Sequence, residues 1–273
     1  MCKVVFEDNH LLVVEKPPNL LTQGDATGDD CLVERMKRYI GEKYHKPGAV
    51  YLGLIHRLDR PVGGLVALAR TSKAAARLSE QLRSHVMERE YLAVVHGGNL
   101  PVEGTLVDWL RKDEATGNVR VVTPAVENTV DQGRTAATTH TQGQAGARPQ
   151  GQAKSLPQSM DLQQAALHFT VLAKDSSEDT VLLHIQLETG RKHQIRVQLA
   201  NSGHPILHDM RYGTDSAGQP IALWGSVLRL SHPITRQEMI FLSSPKGKAF
   251  DRYTRPLGDF FAARTQIQSH AKE

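Results

Sequence analysis

The stretch Leu54 to Arg70, LIHRLDRPVGGLVALAR, constrains this chain most. Two short apolar runs, Leu52 to Ile55 and Leu65 to Ala69, flank a polar turn in which Asp59 stands between Arg57 and Arg60, with Gly63 and Gly64 just after. Runs this short, bounded by Pro and Gly, predict buried strands joined by a tight connection, because they are too brief for a helix. The turn then presents one carboxylate among guanidinium groups at the mouth of a sheet. By itself, an Asp beside arginines is a surface ion pair of small energetic worth.

The rest of the chain supplies strands and helices around that turn. Lys3 to Phe6 and Leu11 to Val14 read as strands about an Asp8, Asn9 turn. Asp29 is an N-cap candidate for a helix whose Leu32, Met36, Tyr39 and Ile40 share a face up to Gly41, and the polar loop Lys43 to Gly48 reads as solvated. Thr71 caps a second helix, with Leu78, Leu82 and Val86 turned inward and Lys73, Arg77 and Arg83 outward. Arg89 to His96 is a strand, and Gly104 to Val122 reads as strand, turn at Thr116, Gly117 and Asn118, and strand. Leu167, Phe169 and Val171 alternate, as does Val181 to Leu187 with His184 and Gln186 on its other face. Thr189 to Lys192 break that strand and open a helix, with His193, Arg196 and Ala200 on one side and Ile195 and Leu199 on another. Ile221 to Leu230 and Glu238 to Leu242 close the set.

Composition divides the chain further. Its 273 residues, 40% of them hydrophobic, are enough for one large core, and residues 1–273 are expected to form a single domain. Residues 124–160 contain no Phe, Trp or Tyr and are dominated by Gln, Thr, Ala and Gly. Such a segment buries too little apolar surface to offset its ordering entropy, so a flexible insertion is expected there. Residues 251–273 read as a polar tail in which only Phe260 and Phe261 pack. A net charge of +4 and a pI near 9.1 favour a polyanion partner, and the local excess of Lys and Arg between His56 and His96 points the same way. Two cysteines without a CxxC pair fit a reducing cytoplasm and no zinc site. No apolar run nears the roughly 18 residues of a membrane span.

Three stretches carry a resemblance. HRLDRPVGGL (His56 to Leu65), REYLAVVHG (Arg89 to Gly97) and TGRKHQIRVQLANSGHPILHD (Thr189 to Asp209) resemble, in the same order, the motifs of the RluA-type pseudouridine synthases. The likeness covers residues 3–123 and 165–250. This chain departs from the family pattern at Asn19 and His208, where glycine is usual, and at Val62 and Gly63, where Thr-Ser is frequent. Asn tolerates a left-handed backbone, so the turn at Asn19 is expected to survive.

The resemblance implies a mixed α/β fold, with a mainly antiparallel central sheet, flanking helices and a central cleft; many relatives carry a small S4 domain ahead of it, which is not expected here because the catalytic strands begin at once. It implies an isomerase that converts uridine to pseudouridine in structured RNA, ribosomal or transfer, without metal or organic cofactor, as a cytoplasmic monomer. Asp59 is then the catalytic carboxylate, acting on the ribose as nucleophile or as base. Arg196 pairs with it bidentately, and Tyr91 stacks on the target base. Arg57, Arg60, Arg191, His193 and Ile195 are assigned to substrate binding. The rivals are a hydrolase, for which neither an HExxH zinc motif nor a GxSxG elbow exists, and a non-catalytic RNA-binding or chaperone module on the same fold.

Overall fold

A computed structural model describes residues 2–123, 162–213 and 218–270. The expected insertion at 124–160 lies outside them. In chain order the elements are β1 (Lys3–Glu7), β2 (Leu11–Lys16), α1 (Leu32–Lys43), β3 (Gly53–Leu54), β4 (Gly63–Ala69), α2 (Ser72–Arg83), β5 (Glu88–His96), β6 (Glu103–Lys112), β7 (Val119–Val122), β8 (Leu162–Asp175), β9 (Thr180–Leu187), α3 (Gln194–Asn201), β10 (Leu223–Ser231), β11 (Glu238–Leu242), α4 (Lys248–Asp251) and α5 (Thr254–His270). The strands join in one sheet ordered β1-β2-β4-β10-β5-β9-β8-β6-β7, with β3 on β4 and β11 on β10. Among the described residues β4 with β10 is the parallel pair, and the other pairings are antiparallel, so the expected mixed α/β fold is the one observed.

Alternation along β2 and β4 splits the core into two layers. Leu12, Val14, Val66 and Leu68 pack under α1 with Leu32, Met36 and Ile40, whereas Leu11, Val13, Leu65, Ala67 and Ala69 pack under α2 with Ala74 and Leu78. A strand buried on both faces reads as a continuous apolar run, which is how β4 appears in the sequence.

Gly63 and Gly64 belong to β4 rather than to the turn before it. Gly63 lies opposite Trp224 and Gly64 opposite Gly225. A Cβ on Gly63 would stand 2.2 Å from the Trp224 ring, and one on Gly64, whose φ is +129°, would stand 2.4 Å from the Gly225 carbonyl. The glycine pair therefore lets β10 approach closely and seats Trp224, which is almost wholly buried and donates its indole N–H to Ser243 Oγ at 3.0 Å. This contact anchors one end of the loop that carries Asp59.

Several local expectations change in the structure. Cys31, not Asp29, occupies the cap of α1, and Asp29 instead pairs with Arg60 at 2.7 Å. Val86 lies beyond the end of α2 and is half exposed, so it does not face inward. Lys43 ends α1 and pairs with Glu7 at 2.7 Å instead of standing free in a loop. The polar C-terminal stretch packs more than Phe260 and Phe261: Tyr253 and Leu257 are buried too, and Arg264 donates to Glu90 on the back of β5 at 2.8 Å. Thr71 does cap α2, accepting from Ala74 N at 3.2 Å, and Asn19 takes the left-handed backbone with φ of 64°. No described helix is long and apolar enough to cross a membrane.

Candidate active site

Asp59 sits on the loop between β3 and β4, and buried polar contacts fix that loop from behind. The Lys16 ammonium is fully buried and donates to the carbonyls of Pro17, Leu20 and Arg60 at 3.1, 2.8 and 3.1 Å. Burial pulls its pKa down to about 7, against the opposing pull of the Asp59 charge. Thr22 donates its hydroxyl to Leu58 O at 2.6 Å and accepts from Leu58 N at 3.2 Å. His56 Nε2 accepts from Ala67 N at 3.1 Å, and burial holds this imidazole neutral, with a pKa near 3. Neighbouring backbone is therefore tethered on both sides of Asp59, whose side chain keeps 25% of its exposure toward a cleft.

The second wall comes from α3. A left-handed His193, with φ of 54°, caps this helix and turns its ring toward Asp59. Its Nε2 lies 3.9 Å from Asp59 Oδ2, and its Nδ1 lies 2.7 Å from the Tyr212 hydroxyl, which accepts from Val119 N at 3.0 Å. Burial first, and then nearby cations, lower the His193 pKa to about 4, so the ring is neutral near pH 7. Arg196, 5% exposed, donates from Nη1 to Asp59 Oδ2 at 3.1 Å.

The expected bidentate pairing of Arg196 with Asp59 is corrected here. Arg196 uses Nε and Nη2 on Asp209, at 2.8 and 2.7 Å, and gives Asp59 one bond. Asp209 also accepts from the amides of Arg211 and Tyr212 at 2.9 and 3.2 Å. Burial would raise its pKa, but these donors hold it below the ordinary carboxylate value. The turn that presents Asp209 contains His208 with φ of 62°, a left-handed position of the kind glycine adopts freely.

Tyr91 and Ile195 line the same cleft with Asp59, as do Arg57, Arg191, His193 and Arg196. Leu58, Val62 and Leu223 add apolar walls to it. Arg60 does not line it: its side chain turns out to Asp29. Arg191 is held at the rim, donating Nε to Gln164 O at 3.1 Å. Arg89 also lines the cleft and was not singled out in the sequence, although it opens the REY stretch. Its guanidinium lies against Gly190, where a Cβ would stand 2.8 Å from Nη1, and its buried Nε has no hydrogen-bond partner. Asp209, Lys16 and Tyr212 are further site residues that sequence reasoning left without a role. For Asp209 the signal was its place at the end of the third motif.

The arrangement offers one carboxylate fixed by a guanidinium at the floor, an aromatic face and apolar walls beside it, and cations at the rim. Such a site suits a flat, uncharged ring joined to an anionic chain. Comparison with known proteins gives the same direction. The sequence profile of the RNA pseudouridylate synthase family matches residues 10–201. The uncharacterized RNA pseudouridine synthase YhcT of Bacillus subtilis is 30% identical over 244 residues, which is 89% of this chain and 68% of that protein. Ribosomal large subunit pseudouridine synthase D of Nitrosomonas europaea is 29% identical over 265 residues, 97% of this chain and 64% of that one. The solved structure of human RNA pseudouridylate synthase domain containing 4 shares the fold, with a TM-score of 0.64 at 19% identity over 93% of this chain and 92% of that one.

Proposed function

The chain belongs to the RNA pseudouridylate synthase family, and from that premise we propose that it isomerises uridine in large-subunit ribosomal RNA with Asp59 as the catalytic carboxylate. The observation that carries this reading is Asp59 itself, fixed by Arg196 yet open to a cleft that Tyr91 also lines. In the reaction the N1–C1′ bond of the target uridine breaks, the uracil turns, and C5 bonds to C1′. N1 gains a proton and C5 loses one, so atoms balance with no change of oxidation state. The Asp59 oxygen that does not bond Arg196 meets the ribose, either at C1′ or at the proton on C2′. Tyr91 and Ile195 give the uracil flat apolar contact while it turns, and Arg57, Arg89 and Arg191 take the flanking phosphates.

The target base must leave its stack to reach this depth, at a cost of a few kcal/mol, so loops and deformed helices are the favoured sites.

The test is Asp59→Asn. A carboxylate contributes nothing favourable to holding a polyanion, so binding of ribosomal RNA fragments should stay equal or tighten, while tritium release from RNA labelled at uridine C5 disappears. Release at the wild-type rate in Asp59→Asn removes Asp59 from the chemistry. Binding with no release by the wild type, on any ribosomal RNA, would instead support a non-catalytic RNA-binding module.

A further inference from the structure

We propose that the outer face of the β6–β7–β8 ribbon is a second RNA contact, where a base flanking the target uridine stacks on Trp109 and its phosphates meet Arg111 and Arg120. The inference rests on the reading that the chain acts on RNA, and names where that RNA runs beyond the cleft. Strand alternation divides the ribbon's two faces. Leu110, Val119 and Ala165 face inward and pack with Val197 of α3. The other face carries Val107, Trp109 and Arg111 of β6, with Arg120 and Val122 of β7 and Gln164 of β8 across from them.

This face is open, and its two arginines stand side by side with no direct ion pair, although the charge of Arg120 is felt by Asp113. Val107 is 57% and Trp109 38% exposed, high values for residues of this size and apolarity. Arg111 lies directly opposite Arg120, a like-charge pair that costs a few tenths of a kcal/mol or more where no anion intervenes. Among the described residues neither arginine forms an ion pair with a carboxylate. The nearby acids have other direct partners: Glu114 pairs with Lys112, Asp108 on the inward face accepts from Gln198, and Asp113 accepts the amides of Ala115 and Thr116 while also feeling the Arg120 charge.

The ribbon is also tied to the cleft. Lys192, beside His193, donates to Gly117 O at 3.0 Å, and Arg211 donates to Asn118 Oδ1 at 2.7 Å. These two cations clamp the β6–β7 turn to the rim. From that turn Arg111 and Arg120 come first along the outer face, and Trp109 lies two residues beyond Arg111, about 7 Å at 3.3 Å per residue. A strand leaving the cleft mouth thus meets successive cations before it reaches the indole. A protein partner would favour a broad apolar patch; an aromatic ring beside paired guanidiniums instead matches a base beside its phosphates.

Fluorescence gives a direct test, because Trp109 and the buried Trp224 are the chain's two tryptophans. Oligouridylates of increasing length should quench the wild-type emission, and Trp109→Phe should bind them as well as wild type while Trp109→Ala binds about tenfold more weakly. The double variant R111Q/R120Q should lower the slope of log affinity against log salt by about 1.4, as expected for two lost phosphate contacts on a single strand. With long ribosomal transcripts labelled at uridine C5, the Trp109→Ala effect should fall on KM rather than kcat, and it should vanish on a fragment trimmed to the target loop. Wild-type tritium release with KM and salt slope unchanged in both variants overturns the platform and leaves the activity reading intact. Loss of oligouridylate binding in the variants, with no tritium release by the wild type, keeps the platform and overturns the activity. An indole shielded from acrylamide in the free protein, and uncovered when residues 124–161 are replaced by a short linker, assigns this face to the chain's own segment and also overturns the proposal.

Discussion

Arg196 holds Asp209 with two hydrogen bonds and reaches Asp59 with its remaining terminal nitrogen, so one guanidinium ties an almost wholly buried carboxylate to the one that faces the cleft. Asp209 never meets the cleft, yet it sets the plane of the group that orients Asp59. Charge-assisted bidentate pairs are both strong and directional, which makes this the rigid part of the site.

Asp209→Asn should therefore damage a reaction it does not touch. The change leaves the Arg196 charge buried with a weaker partner, at a cost of about 3 kcal/mol in unfolding free energy. Turnover should fall as well, because Arg196 becomes free to rotate. Urea unfolding and tritium release on the same preparation check both effects; wild-type values for the two would remove Asp209 from the site.

Arg196→Lys keeps the charge but has one nitrogen where three are in use. It cannot serve Asp209 and Asp59 together, and a misplacement of about 1 Å at a catalytic group costs about a hundredfold in rate. The expected outcome is that loss in kcat with an unchanged circular dichroism spectrum. A variant that turns over normally would make Arg196 a phosphate contact only.

Gly63→Ala should destabilise the fold by about 2 kcal/mol, since its new methyl group has no room beside the Trp224 ring. If that contact is the cause, the penalty should largely vanish in a Trp224→Leu background. A double-mutant cycle measures the coupling, and additive effects would place the cost elsewhere.

Acid should weaken the protein before its carboxylates titrate. His56 and His193 are held near 3 and 4 in the fold, against an ordinary value of 6.5. As pH falls below 6.5 the unfolded chain takes up protons that the folded chain refuses, so the unfolded state binds more protons and stability declines toward pH 3. Above pH 6.5 this contribution is complete. Glu90, lowered to about 2 in spite of its burial by His184 and Arg264, adds its own loss only below its ordinary 4.5. Melting temperature followed from pH 7 to pH 5 should thus fall, with a shallower slope in His56→Gln; a flat wild-type profile would mean that neither imidazole resists protonation.

Much of the secondary structure was legible in the sequence because neighbours along the chain encode it, while the fold and the site were legible through the resemblance of three motifs to a known family. Alternation placed β8 and β9, helical spacing placed α1 and α2, and the Thr71 hydroxyl announced its cap. The three motifs brought Asp59, Tyr91, Ile195 and Arg196 to one cleft, although Asp59 and Arg196 are 137 residues apart. Arg60 escaped this logic. It sits one residue from Asp59, but consecutive side chains of an extended loop point different ways, and Asp29 from the α1 approach met it first.

What the sequence by itself determined was most of the strands and helices, the inward face of several of them, and the carboxylate at the turn. Periodicity and backbone propensity act over a few residues and can be read from them. Only the tertiary structure decided which partner each polar group would take. Arg196 had two carboxylates within reach and gave its bidentate face to Asp209, because that residue is the more deeply buried and has two amides fixing its Oδ1. Gly63 and Gly64 read only as residues just after the turn, and the reason both are glycine came with Trp224 and Gly225 packed against them. Hydrogen bonds and close approaches between distant segments depend on the positions of whole elements to within an ångström or less, and no local pattern carries that information.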